Sequence, residues 1–130
     1  MLILTIRTDK PSAEIGLFED DAQLDYEAWE AHRALAETIH TKISEILKPN
    51  GGSLETLGGI VVFQGPGSFT GLRIGLTVAN TLAEALAVPI VGSQGDQWIE
   101  QGIKNLLLGQ NDRLVLPEYG ALPNITAPRK

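Results

Sequence analysis

Apolar and polar positions change their period several times along this chain, and each change marks an element. Residues 2–7 (LILTIR) are a short apolar run of strand length. Residues 8–11 (TDKP) read as a turn, because Pro11 fixes its own φ and Asp9 is placed to bond nearby backbone. Residues 13–19 (AEIGLFE) predict a second strand, closed by Asp20 and Asp21. Residues 23–30 are ambiguous: Leu24, Tyr26 and Ala28 alternate as in a third, antiparallel strand, whereas Tyr26 and Trp29 also fit a helical start. The alternation makes the strand the preferred reading. From 33 to 48 the period becomes helical, with Leu35, Ala36, Ile39, Ile43, Ile46 and Leu47 on one side and Glu37, Lys42, Glu45 and Lys48 on the other. Residues 49–53 (PNGGS) stop this helix, with Asn50 or Gly51 a natural left-handed cap. Residues 59–64 (GIVVFQ) and 88–93 (VPIVGS) are continuous apolar runs, as buried parallel strands require. Helices are predicted over 69–87 and 96–108. Residues 109–130 hold several prolines and no clear period, and read as an extended tail lying along the domain or toward a partner.

The predicted order is β-β-β-α-β-α-β-α. Strands joined by hairpins come first, then strands alternate with helices, which makes an α/β domain over 1–108 with a mixed five-stranded sheet covered by helices. This order resembles the ribonuclease H-like unit, which also builds each half of the actin-like ATPases (the ASKHA fold).

Composition narrows the chemistry. The 130 residues suit one domain with a real core. There is no cysteine, which excludes a disulfide scaffold, a cysteine nucleophile and a thiolate metal site. The net charge of −6 argues against a protein that grips nucleic acid by itself, so any RNA is expected to be held mainly by another component. No apolar run is long enough to span a bilayer, and the apolar opening is too short for a signal peptide. A cytoplasmic protein without a membrane partner is the expectation.

The loop FQGPGSFTGLRIG, residues 63–75, has three possible uses. Phosphate binding by the known glycine signatures fails: Gly65 and Gly71 are one residue too far apart for a P-loop, and Thr70 stands where the dinucleotide pattern needs glycine. Exposed amides at a helix start remain able to hold an anion. Nucleophilic catalysis fails too, because the sequence does not fit G-x-S-x-G and neither His32 nor His40 has a reason to reach Ser68. Ser68 and Thr70 read better as helix caps within a turn made by Gly65, Pro66 and Gly67. Metal-dependent chemistry needs carboxylates on the strands. Here Arg7 ends the first strand, Asp9 falls in the turn, and the inner strands carry no acid.

The helix after the loop has a row of small residues, Gly71, Gly75, Ala79, Ala83 and Ala87, recurring every four positions. Such a row admits a close backbone, either the domain's own sheet or a partner helix. Asn124-Ile125-Thr126 is a glycosylation sequon that reads as coincidence without a secretory signal.

The run GPGSFTGLRIG after an apolar strand, continued by LAEALAVPIVG at 82–92, resembles the signature of the bacterial TsaB family, also called YeaZ. The resemblance covers roughly residues 1–100. It implies a non-catalytic scaffold or dimerisation subunit for the transferase that forms N6-threonylcarbamoyladenosine in tRNA. Such a subunit pairs with a metal-binding TsaD-type transferase, works with a TsaE-type ATPase and a TsaC-type synthase, and meets tRNA only through the complex. The family pairs through a bundle of two helices from each subunit. Carried onto this sequence, the pairing helices are 33–48 and 69–87, with Leu35, Ile39, Ile43, Phe69, Gly71, Leu72, Arg73, Gly75, Ala79 and Ala83 as partner-binding residues. Arg73 is equally suited to an ion pair within the domain. No cofactor is expected on this chain alone, and ATP or ADP is possible at a complex interface. The alternatives are a nucleotide-binding actin-like enzyme and a self-associating homodimer module.

Two departures from the family stand out. Its first strand usually ends in Asp-Thr-Ser, where this chain has Arg7-Thr8-Asp9. The family is also usually longer, with a second domain of similar fold. Here the third predicted helix passes into a tail that resembles the family's own C-terminal end, with Pro117-Glu118-Tyr119 and a basic finish at Arg129 and Lys130. The expectation is a minimal form that keeps one half and the tail.

Overall fold

The computed structural model describes residues 1–67 and 69–118, with only the backbone of His32 and Phe69. Five strands, β1 (Leu2–Arg7), β2 (Ser12–Glu19), β3 (Ala22–Glu30), β4 (Gly59–Phe63) and β5 (Ile90–Ser93), form one sheet in the order β3-β2-β1-β4-β5. β1 and β2 pair antiparallel, as do β2 and β3, whereas β4 runs parallel to both β1 and β5. The ambiguous third segment is therefore a strand. Three helices complete the fold: α1 (Leu35–Leu47), α2 (Phe69–Leu86) and α3 (Trp98–Leu107).

Strand alternation sets the layers. Val61 of β4 lies opposite Thr5 of β1 and points with it. Gly102 of α3 sits directly on Val61, so α3 covers that face. Thr8 points the other way and meets Gly75 of α2, so α1 and α2 share the opposite face. The core is continuous through both layers, with Ile3, Leu4, Ile6, Ile15, Leu17, Ile60 and Val61 fully buried in the sheet.

Element ends follow the local chemistry. α1 is flanked by single 3-10 turns at His32–Ala34 and Lys48–Asn50, and Gly51, at φ 74°, supplies the expected left-handed stop. A further 3-10 turn at Leu54–Thr56, held by a reciprocal Ser53–Thr56 capping box, has no counterpart in the periodicity reading. The first part of the tail is docked. Asn111 and Asp112 accept, through side-chain oxygens, the amides of Ile90 and Gly92 on the outer edge of β5, and the Asp112 amide donates to the Ile90 carbonyl. Asn80 of α2 then donates to the Val115 carbonyl and accepts the Val115 amide, both at 2.9 Å. The segment thus acts as a strap that covers a sheet edge otherwise open to pairing with another chain. The remainder of the predicted tail, including the sequon, lies outside the described residues.

Candidate functional site at the C-terminal end of the sheet

β1 leads away toward β2 and β4 leads away toward β5, so the strand order reverses between β1 and β4. In open α/β sheets the crevice beyond the carboxyl ends at such a point is where ligands bind. In this chain the two loops meeting there are residues 8–11 and 64–67.

Self-contacts fill the crevice. The Arg7 guanidinium makes two bonds to the Asp9 carboxylate, at 2.7 and 3.2 Å, and lies 3.9 Å from the centroid of the Phe63 ring. Phe63 meets Trp98 edge-on at 5.7 Å, so the stack runs from the strand end into the core beneath α3. The Asp9 bond and charge raise the pKa of Arg7, and Asp9 itself is nearly buried. Gly67 lies flat against Asp9, where any Cβ would overlap the Asp9 side chain. The Thr8 hydroxyl donates to the Gly71 carbonyl at 2.7 Å, tying β1 to the first turn of α2. The strap closes the far side: the Glu118 amide donates to the Gln64 carbonyl, and the Gln64 side chain donates to the Leu116 carbonyl. Gln94 donates to the carbonyl of Gly65, whose φ of 123° suits glycine and whose missing Cβ makes room for the Glu118 carbonyl. Among the described residues, no group of three or more His, Cys, Asp or Glu side chains is placed to hold a metal ion.

The residues singled out from sequence divide sharply. Gly65, Pro66 and Gly67 form the turn; Thr70, expected as a cap, lies inside the first turn of α2 instead, and Ser68 and its capping role lie outside the described residues. Leu35, Ile39, Ile43, Leu72, Gly75, Ala79 and Ala83 are buried in this chain's own core, and Gly71 is half-buried. This corrects their reading as a surface for a partner. Gly75, Ala79 and Ala83 of the small-residue row face the sheet, and Gly75 is glycine because Thr8 occupies the space of a side chain; Ala87, counted in the row from sequence, lies exposed past the end of α2 at φ 56°. Arg73 is exposed, and nothing is described of the Phe69 side chain.

The outward face of α2 is a different stripe: Thr70, Ile74, Thr77, Thr81 and Ala85, exposed except for the half-buried Ile74 and flanked on one side by the exposed Arg73 and Glu84. Counting from the buried positions would have found it, because those residues sit opposite Leu72, Ala79 and Ala83 on a helical wheel.

Comparison with known proteins follows the same motif. A family model described as TsaD: tRNA N6-adenosine threonylcarbamoyltransferase matches residues 29–94, half of the chain. The tRNA threonylcarbamoyladenosine biosynthesis protein TsaB of Escherichia coli is 32% identical over 107 residues, covering 78% of this chain and 44% of that protein. The solved structure of YeaZ from Pseudomonas aeruginosa superposes with a TM-score of 0.66 at 26% identity, covering 72% of this chain and 43% of that one. The chain belongs to this family, in its TsaB/YeaZ branch. It spans less than half the length of the E. coli TsaB that it matches. The Thermus thermophilus RuvC structure, at 13% identity, covers 75% of this chain and 66% of that one with a TM-score of 0.53, which places the TsaB-type sheet and helices in the ribonuclease H-like fold.

Proposed function

We propose that this TsaB-type chain takes part in the biosynthesis of threonylcarbamoyladenosine in tRNA as a non-catalytic subunit that docks on a TsaD-type transferase. The observation that carries this reading is the filled end of the sheet. Both bonds of Arg7 go to Asp9, Gly67 covers Asp9, and the strap closes over Gln64, so the residues fit neither a divalent cation nor a nucleotide phosphate at the switch point. A carboxylate held by an internal guanidinium is a poor metal ligand, because the cation would have to displace a bidentate ion pair. The docking surface in this reading is the outer side of α1 and α2, where the stripe of Thr70, Ile74, Thr77, Thr81 and Ala85 offers a second helix small and apolar side chains, with the exposed Arg73 and Glu84 along one border.

The test is co-purification of the full chain with the TsaD-type subunit encoded beside it or in the same genome. Thr81→Arg combined with Ala85→Arg, both at exposed positions, is expected to abolish the complex while leaving the thermal midpoint of the chain unchanged. Retention of the complex by this double variant rules out the outer stripe. Calorimetry of the chain alone with Mg-ATP is expected to give no heat of binding. Saturable binding there favours the nucleotide-binding enzyme instead.

A further inference from the structure

The β1–β2 turn and the starts of α1 and α2 enclose a groove of about 400 Å³ beside the proposed pairing surface. Its walls are apolar: Pro11, the buried Leu35, the half-buried Ile74 and the backbone at Gly71. Its rim is cationic. Lys10 and Arg33 are both exposed there, in a chain whose net charge is −6. The nearest carboxylate to Lys10 is that of Glu14, only at 4.0 Å, and Arg33 makes no ion pair among the described residues. Apolar walls under a rim where Arg33 has no ion pair among the described residues and Lys10 only a long one to Glu14 fit a segment that brings an apolar side chain and a carboxylate together.

We infer that this groove is the specificity-setting pocket of the subunit interface: it takes an apolar side chain of the transferase, flanked within one helical turn by Asp or Glu. The inference rests on the pairing reading above and adds to it the chemistry of what the partner must present. The apolar walls supply area removed from water, and the rim selects the sign of charge and speeds encounter. Phosphate is the competing anion, but it brings no apolar group for Leu35 and Ile74, and the acidic remainder of the chain repels a polyanion.

The experiment measures the dissociation constant of the full chain and the full-length transferase subunit across a range of salt. Lys10→Glu with Arg33→Glu is compared with Lys10→Arg with Arg33→Lys. All four changes are at exposed positions, and circular dichroism checks that each variant is folded. Charge reversal is expected to weaken the complex at least about tenfold and to flatten its salt dependence, while the charge-conserving pair stays within about threefold of wild type. A carboxylate-to-lysine substitution in the transferase that restores binding to the reversed variant identifies the partner group and supports the inference. Wild-type affinity in the reversed variant overturns it and leaves the pairing reading intact, provided that Thr81→Arg with Ala85→Arg still disrupts the complex. Absence of any complex with the wild-type chain overturns both. Reversal that removes only retention of tRNA by the chain alone assigns the groove to phosphate and overturns the protein-docking inference.

Discussion

Gly75 and Thr8 show how one contact decides what a helix face is for. Glycine inside a helix costs about 1 kcal/mol against alanine, and the compensation here is the close approach of α2 to β1, sealed by the bond from Thr8 to Gly71. Gly75→Ala is therefore expected to destabilise the fold by about 1–3 kcal/mol in chemical denaturation, because its Cβ would overlap Thr8. An unchanged midpoint with lost partner binding would return the row to the interface. Thr5 presents the opposite case. Its hydroxyl is buried with no hydrogen-bond partner among the described residues, under the rings of Tyr26 and Phe18 that fill the space over Gly16. Thr5→Val keeps the shape and removes the orphaned group, so it is expected to raise stability by about 1 kcal/mol, read from the denaturation midpoint. Tyr26 adds a dependence on pH. Burial first, and then its bond to the Glu14 carboxylate, push the phenol well above the usual tyrosine range. The folded state holds this proton more tightly than the unfolded chain. The stability it contributes is present below about pH 10 and is lost as pH rises beyond that toward the folded-state value. The advantage of wild type over Tyr26→Phe should shrink across that window, and a constant difference would show that the environment of Tyr26 does not favour its neutral form.

At the scale of elements, the strap is the feature that ties the segment after α3 to the site. Its hold on α2 depends on Asn80, whose amide imitates a strand by pairing both backbone groups of Val115. Asn80→Ala is expected to cost about 1–3 kcal/mol and to speed exchange of the Val115 amide far more than that of the core strands. Equal protection in both proteins would mean that the strap is held by the buried Val115 side chain rather than by these bonds. The strap also marks where the sequence stopped being readable. The helices and β3 declare themselves by local period, because burying one face imposes a repeat of 3.6 or of two, and β1, β4 and β5 by unbroken apolar runs, because both their faces are covered. Asn80, Asn111 and Asp112 impose none: each acts through side-chain bonds to backbone far away in sequence, 35 residues in the case of Asn80. The small-residue row was visible for the same reason that the helices were, but its direction was not. Period tells which residues share a face, and only the position of Thr8 tells that this face looks inward. Of the site, Arg7 in place of an acid was plain in the sequence, whereas its bidentate hold on Asp9 and its seat over Phe63 needed the turn and the sheet register.

For the molecule as a whole, charge sets what this chain does alone and what it needs help to do. Sixteen acidic residues against ten basic ones leave the surface at −6, and the ion pairs of Arg7 with Asp9 and of Lys42 with Glu27 occupy two of the cations. Binding to tRNA draws on release of counterions by clustered Lys and Arg, and the exposed cations among the described residues, Lys10, Arg33, Lys48, Arg73, Lys104 and Arg113, are spread over different elements, with only Lys10 and Arg33 sharing the groove. Two rim cations are too few to offset repulsion of a polyanion by the rest of the surface. The chain alone is thus expected to leave tRNA unshifted in a gel at about 0.15 M salt, a concentration at which charges beyond roughly 8 Å are largely screened. Added transferase subunit should bring both the shift and this chain into one band. Retardation by the chain alone, falling steeply with salt at a slope near −0.7 to −0.9 per contacted phosphate, would count decisively against the scaffold reading, because it would mean that this chain contacts the RNA directly.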